Sequence, residues 1–584
     1  MDPGPPHVYK QQIRLSSHLR TNNYSIMRLL SAAFALLFTF LLHAQAFDWQ
    51  WSTSVTSDAT IAPNIYSMTT DADGNSYVAG SFYGTVTFGN LSPITSGVQS
   101  DLYVVKYDAS GTALWAVHAG GDSFDEAMAV SVDGAGNVYL TGYYQSASLD
   151  FGAGPLVRQG FSDIFVAKYS ADGEFQWAND YGSTSGEWET GAAIVAEANG
   201  DMYVTGIFHN TLEVPGQELL ESCMPREDMF LLKLDTDGNA LWSKRPGCTH
   251  DDSYGALKGD ELTLDAFGNL YVGARLRGDT VFFETDTVLN DAAGNQAEDG
   301  ILAKYDADGN FLWARGFGGY GYDEIRALET DADGHCYLAV HRESQYDLPE
   351  FTLDISGTLG IYRGVLLKSD PNGVFEWGAR MGNNSYNTDL SGLVLDDEGH
   401  LYAAGQFSNR CEWDGIVSEI TPGAFYGAFI AQYDLEGDAQ EVWVTRQNLP
   451  RTVNGLGRDL YGNIYAAGGF HDTLTFAGTP TLDVEDNAIY LARSGDINTG
   501  LAFERMDIDG VRVFPVPSNG AFTVQSEGPF TGLQIVNALG SVVLNERFPP
   551  TALRSVDLLE SGVFFYTLLN GTERVGNGRV VIQR

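Results

Sequence analysis

Five stretches of the 584-residue chain set aromatic rings beside carboxylates: GGDSFDEA (120–127), YGSTSGEWETG (181–191), GCTHDDSYG (247–255), GGYGYDEI (318–325) and GNNSYNTD (382–389). They carry Phe124, Trp188, Tyr254, Tyr320, Tyr322 and Tyr386 with Asp125, Glu126, Asp251, Asp252, Asp323 and Glu324. A flat ring offers an apolar face on which another ring can stack. A neighbouring carboxylate accepts hydrogen bonds from hydroxyls or holds a cation. Sugars and cations are the ligands this suits. Trp188, Tyr320 and Tyr322 are the candidate flat contacts and Asp323 and Glu324 the candidate acceptors. Phe124, Asp125 and Glu126 form a second set of the same kind. The plainer reading packs the rings beneath the loops and leaves the acids solvated.

Other chemistry has less support. Neither G-x-S-x-G nor H-E-x-x-H occurs. Gly316–Gly321 fits G-x-G-x-x-G, but no helix follows whose N-terminus could hold a pyrophosphate. The ten histidines are scattered, and the four cysteines include no C-x-x-C, so a zinc ribbon or thioredoxin-type site is unsupported. Cys223 and Cys248 fall in loops expected on one face, so a bridge between them is plausible. Cys336 and Cys411, expected in or near strands, are read as free. The DADGN and DTDGN runs resemble the start of an EF-hand loop, but the acidic ligand expected at its twelfth position is not repeated and strands follow at once. No cofactor is expected, and incidental calcium is the remaining cation reading. DADGNFLW also resembles quinoprotein repeats, yet no cluster of metal-binding acids accompanies it.

The elements that position the loops repeat. A D-x-x-G-N-x-Y phrase puts tyrosines at 77, 139, 203, 271, 337, 402 and 465, at spacings of 62 to 68 residues. A second phrase follows each, as in DIFVAKYSADGEFQWA (163–178), with tryptophans at 115, 177, 242, 313, 377 and 443. Each unit reads as four short antiparallel strands, A to D, with apolar residues alternating along B and C. Gly with Asp or Asn sits at the A–B and C–D turns, and a longer loop joins B to C. Such a unit is a propeller blade. The seventh unit lacks its D strand, while the segment beginning FDWQWSTSV is a lone D strand with Trp51. That strand completes the last of seven blades and removes two exposed edges. The phrases resemble the seven-bladed repeats of secreted bacterial proteins over residues 47–497. Gly364 and Val340 are the main departures. The resemblance implies the fold and little about activity.

Met27-Arg28, an apolar run at 29–42 and the small-x-small site Ala44-Gln45-Ala46 read as a signal peptide within an N-terminal segment 1–46. Met1 and Met27 are both open as the start. No other stretch could span a bilayer, so no transmembrane segment is expected. A formal net charge of −43 repels nucleic acid and excludes it as a partner.

The period stops after Asn498, a linker (498–506) follows, and residues 507–584 read as a small β-sandwich. This module resembles the type A sorting domain of the Bacteroidetes type IX secretion system. The match rests on Phe514-Pro515-Val516-Pro517-Ser518-Asn519-Gly520, on Gly540, on Leu559, Gly562 and Phe564, and on the terminal VVIQR. The departures are Phe514, Val516 and Phe564 where the family has Tyr, Asn and Tyr. The resemblance implies handling by the type IX machinery, removal of the domain, and a secreted or surface-bound product. The whole reads as an exported, non-enzymatic propeller that binds or scaffolds a glycan or protein through its variable loops. The alternative is a secreted lyase or hydrolase acting on polysaccharide. The two differ on whether His, Arg, Tyr and carboxylates from several blades converge at the mouth of the central channel.

Overall fold

The computed structural model describes residues 49–582 except 60, 184–186, 224–226, 248–255, 279, 290–297, 320, 343–345, 349, 354–362, 383–386, 397, 421–425, 446–449, 477, 496–510, 515–520, 538–541, 559–561 and 571–572. The expected signal peptide, Tyr320, Cys248 and much of the sorting motif lie outside these residues. The chain divides into two compact units between Gly495 and Asp496.

Seven four-stranded antiparallel sheets make up the first unit. Blade one runs Asn64–Thr70, Ser76–Phe82, Asp101–Tyr107 and Ala113–Ala119 as strands A to D. The A strands are innermost and touch their neighbours in succession. The last of them, Pro450–Arg458, returns to Asn64–Thr70, so the ring is closed. Closure is by the N-terminal strand. Trp49–Thr56 pairs with Leu482–Ser494 as the fourth strand of blade seven. The chain is an all-β, seven-bladed propeller.

The repeated phrase builds each A–B turn. The Asp71 carboxylate accepts the backbone N–H groups of Asp73 (3.0 Å) and Asn75 (2.9 Å), the Asn75 amide (2.7 Å) and the Tyr77 hydroxyl (2.9 Å). Asp133 and Asp459 hold the same four groups in their own turns. In blades five and six His335 and His400 stand in for the Asn and still reach the Asp through Nδ1, at 2.9 Å each. An Asp that pins its own turn explains the phrase without an ion.

Blades are clasped by the second phrase. Trp115, Trp177, Trp313 and Trp377 each donate Nε1–H to a carbonyl in the C–D turn of the next blade, at 2.9–3.1 Å. In blade three Lys233 and the Tyr203 hydroxyl reach the Ala307 carbonyl instead. The strand C lysine also sits over the strand B tyrosine of its own blade, as with Lys304 4.5 Å from the Tyr271 ring. Arg493 takes this place over Tyr465. The glycine of each next C–D turn lies on the clasping indole. A Cβ on Gly111 would stand 2.7 Å from Trp51.

Two differences from the sequence reading have physical causes. Strand C is buried at every position in blades one to three, because each face meets another blade and alternation is lost. The B–C loops carry their own short hairpins, such as Ser148–Asp150 with Pro155–Val157 and Arg410–Trp413 with Ile416–Glu419. Cys411 lies in the latter hairpin, past strand B.

The second unit is a five-stranded sheet over 511–582. Its two longest strands, Ala521–Asn537 and Val542–Asp557, break register between Gln525 and Phe530, and residues from both halves share one core with Phe564.

Candidate functional site: the channel mouth

Antiparallel pairing puts the start of strand A opposite the end of strand B, so D–A and B–C connections share one face. On that face each blade contributes one cross-strand pair at the same register. In chain order these are Asn64 with Ser81, Glu126 with Tyr143, Thr190 with Ile207, Lys258 with Arg275, Glu324 with His341, Asp389 with Gln406, and Thr452 with Gly469. The packing positions repeat from blade to blade and these do not.

A bulge follows in every A strand. At the level just past these pairs, the register shift leaves one extra residue in each blade: Tyr66, Met128, Ala192, Asp260, Arg326, Ser391 and Asn454. The last glycine of the repeated phrase makes room for it. A Cβ on Gly142, Gly206, Gly405 or Gly468 would stand 1.9–2.0 Å from the carbonyl oxygen of the facing A strand. The inner strands enclose a cavity of about 340 Å³ lined by Tyr66, Glu261, Arg326, Glu329, Asn454 and Arg458 among others.

Blades four to six bring charge to the mouth. Arg275 makes two 2.8 Å contacts with Asp260 and reaches Glu298 and Glu324 at 3.3 Å. Arg326 bonds Glu324 at 2.9 Å, Lys258 bonds Glu227 at 3.1 Å, and His341 Nδ1 meets Asp389. Enclosure by the ring raises Asp260 to about 6 despite Arg275. It raises Glu261 to about 8, with the Asp260 charge adding to the effect. It raises Glu329 to about 7 against the pull of Arg458. Enclosure acts to raise Asp389 too, but the hydrogen bond and charge of His341 outweigh it and hold that carboxyl low.

Blades one to three bring rings. Trp188 is 44 % exposed and Phe161 42 %, and their centroids stand 4.9 Å apart. Tyr143 closes edge-on to Trp188 at 5.7 Å. Tyr143 is the cross-strand partner of Glu126, and burial, with the Glu126 charge nearby, raises both the Tyr143 and Tyr66 phenols. His209 Nδ1 contacts the Trp188 carbonyl at 2.6 Å and ties the loop to strand B.

The candidates named from sequence divide. Trp188 and Tyr322 (47 % exposed) are open to solvent, and Glu126 and Glu324 are half-buried at the mouth. Asp125 and Asp323 are wholly buried and act as loop pins. Asp125 accepts Ser146 Oγ at 2.6 Å and the Gln145 and Ser146 N–H groups at 3.1 Å, and burial raises it to about 6. Asp323 accepts the Gly319 N–H. Glu189 is their counterpart in blade three. Phe124 is half-buried in its loop. Tyr143, Phe161, Arg275, Arg326, His341 and Asp389 were not among the candidates. Cys223 is disulfide-bonded and Cys336 and Cys411 are free and buried. Of the sorting motif, Phe514 ends one strand, Gly562 begins another and Phe564 is buried.

Fold and site together define a ring of blades with one repetitive face and one variable face. The chain's destination comes from its second unit. Residues 512–583 match the secretion system C-terminal sorting domain, so the protein is exported by type IX secretion to the cell surface or beyond. Among the described residues no helix is long and apolar enough to cross a membrane. Over 326 residues the chain is 25 % identical to an uncharacterized WD repeat-containing protein, L264, of Acanthamoeba polyphaga mimivirus, covering 46 % of this chain and 23 % of that one. It is 25 % identical over 365 residues to the regulatory protein FlaEY of Caulobacter vibrioides, covering 57 % and 36 %. The chain thus spans well under half the length of either relative. Among solved structures it is similar to a family PL25 polysaccharide lyase, an ulvan lyase, at 10 % identity and a TM-score of 0.40, covering 71 % of this chain and 93 % of that one. A likeness of that size carries no argument about activity.

Proposed function

We propose that the protein is an exported, non-enzymatic binding and scaffold module whose ligand sits on the D–A and B–C loop face, across the channel mouth. The observation that carries this reading is the ring of cross-strand pairs. A position held at one register in seven blades, yet filled by Glu126, Lys258, Glu324 or Asp389, is free of the packing demands that fix its neighbours. Rigid rings with variable loops are where binding surfaces form. The test is a ligand screen on glycan and protein arrays, comparing wild type with Tyr322→Ala and Arg326→Ala. A ligand indifferent to both, and to every other substitution on this face, sinks the reading.

A second reading is a secreted enzyme acting on polysaccharide, and one specific observation favours it. Tyr66, Arg326, Glu261 and Glu329 from separate blades line the channel, and at its mouth His341 is oriented by Asp389 as a proton-transferring imidazole would be. An activity screen on neutral and acidic polysaccharides, with His341→Gln as control, separates the two readings.

A further inference from the structure

We infer that Phe161, Trp188 and Tyr143 form a subsite for a neutral carbohydrate, with Glu126 and the Tyr66 and Tyr143 hydroxyls reading its hydroxyl groups. The inference rests on the loop-face reading and names the ligand class for one sector of it. Three observations support it.

The first is geometric. Many large rings on this propeller lie between blades, as Tyr77, Tyr139 and Tyr203 do, at 0 % exposure, while Phe267, Phe282, Tyr322 and Tyr426 are exposed elsewhere. Trp188 and Phe161 instead touch each other while both stay more than two-fifths open. Tyr143 lies edge-on to Trp188, supporting the indole from the channel side. The Trp188 carbonyl is held by His209 Nδ1 at 2.6 Å, which anchors the backbone that carries the ring. Exposed, mutually supported rings offer the flat apolar surface that the C–H face of a pyranose covers.

The second is the polar edge. Glu126 stands directly across the strands from Tyr143, and Tyr66 of the neighbouring blade lies near enough to feel its charge. A carboxylate accepts several hydrogen bonds, and each phenol can donate one and accept another. The array offers acceptors and O–H donors side by side, the pattern that complements vicinal hydroxyls. The third is charge. Lys258, Arg275 and Arg326 lie in the other sector, already engaged with Glu227, Asp260 and Glu324. Around the platform Glu126 and the exposed Glu187 are carboxylates, and Arg158 directs its guanidinium to the Gly160 and Phe161 carbonyls, in a chain of net charge −43. A uronate or sulfated sugar would meet repulsion here, and a neutral one would not.

The experiment is calorimetric titration of the full mature chain with cellohexaose, laminarihexaose, xylohexaose and mannohexaose as neutral probes and hexagalacturonate as the acidic one. At least one neutral probe should bind and the acidic one should not. Trp188→Ala and Phe161→Ala should each weaken that binding about tenfold or more, the size of one stacking contact, with unchanged melting temperature. Trp188→Phe should recover part of the loss. The inference is overturned if no neutral probe binds, if hexagalacturonate binds as well as they do, or if binding survives both alanine variants. Binding that survives them but is lost in Tyr322→Ala or Arg326→Ala overturns the platform and leaves the loop-face reading standing.

Discussion

Trp51 donates its indole N–H to the Ala109 carbonyl at 2.9 Å, from the last strand of blade seven to the C–D turn of blade one. It is the same clasp that Trp115 makes to Ala171, but here it spans the point where the ring closes. Trp49, two residues earlier, is buried against Trp443 and Phe476, with centroids at 5.1 and 4.6 Å. One short strand therefore carries both the edge pairing and two interblade anchors.

Removing Trp49–Thr56 should destabilise the propeller by several kcal/mol. Loss of a single buried Trp costs about 3–5 kcal/mol, and the bared edge of Leu482–Ser494 adds an aggregation hazard. Denaturant unfolding and size-exclusion chromatography read both effects. An unchanged unfolding midpoint would contradict closure by this strand.

Two tryptophans separate packing from binding. Trp177 is half-buried and bonded to the Thr236 carbonyl at 3.1 Å, so Trp177→Ala should lower the melting temperature by several degrees and leave any ligand affinity close to wild type. Trp188→Ala should do the reverse, because its ring faces solvent. A Trp188→Ala chain that unfolds would place that ring in the core.

Adjacent glycines test the bulge. A Cβ on Gly468 would stand 1.9 Å from the Thr452 carbonyl oxygen, whereas on Gly469 the nearest contact is 3.9 Å. Gly468→Ala should cost about 2–4 kcal/mol or displace the bulged strand, and Gly469→Ala should cost under about 1 kcal/mol. Thermal unfolding of the pair decides it. Equal effects would mean that the glycine makes no room for the bulge.

The clasp is legible in sequence because it repeats. Tyr and Trp recur at one period, and the turn residues between them fix strand order. The channel mouth is not legible strand by strand, because its positions vary. Tyr143, Arg275 and His341 each stand four residues after the repeated tyrosine, and only the shared register turns three apparent exceptions into one ring. Phe161 hides in a B–C connection whose length differs between blades. Trp188 is legible because a lone Trp in a short polar loop has no place in the packing period. Asp125 and Asp323 look solvated for the same kind of reason, and are not. An acid in a polar loop gives no sign that the loop will fold its own N–H groups around it.

Buried Glu189 makes stability depend on pH. Burial raises its carboxyl from the usual 4.5 to about 8, with the Ser183 bonds acting the other way. The folded state therefore holds a proton that the unfolded chain releases. The contribution is full below pH about 4.5 and is lost as pH rises to 8, by an amount on the order of a few kcal/mol. Glu189→Gln, which mimics the protonated form, should match wild type near pH 5 and exceed it near pH 8.5. Melting curves of both chains at the two pH values provide the check. A variant no more stable than wild type at pH 8.5 would mean that the loop accommodates the charge.

The sorting domain should be needed for export and dispensable for the fold. Residues 512–583 match the secretion family, while the last propeller strand ends at Ser494. Cutting after Gly495 removes no strand from any of the seven four-stranded sheets, and the contact division falls at that point. A chain ending at 495 should therefore melt as the full chain's propeller does when made without its leader, yet fail to leave a cell equipped for type IX secretion. The secreted product of the full chain should begin near Phe47 and lack the second unit. Intact-mass analysis of culture supernatant and surface extracts measures this directly. Retention of residues 511–582 on the exported protein would contradict removal of the domain. Export of the truncated chain would contradict its necessity, and a truncated chain that cannot fold would show that the propeller depends on a partner it does not need for its own strand pairing.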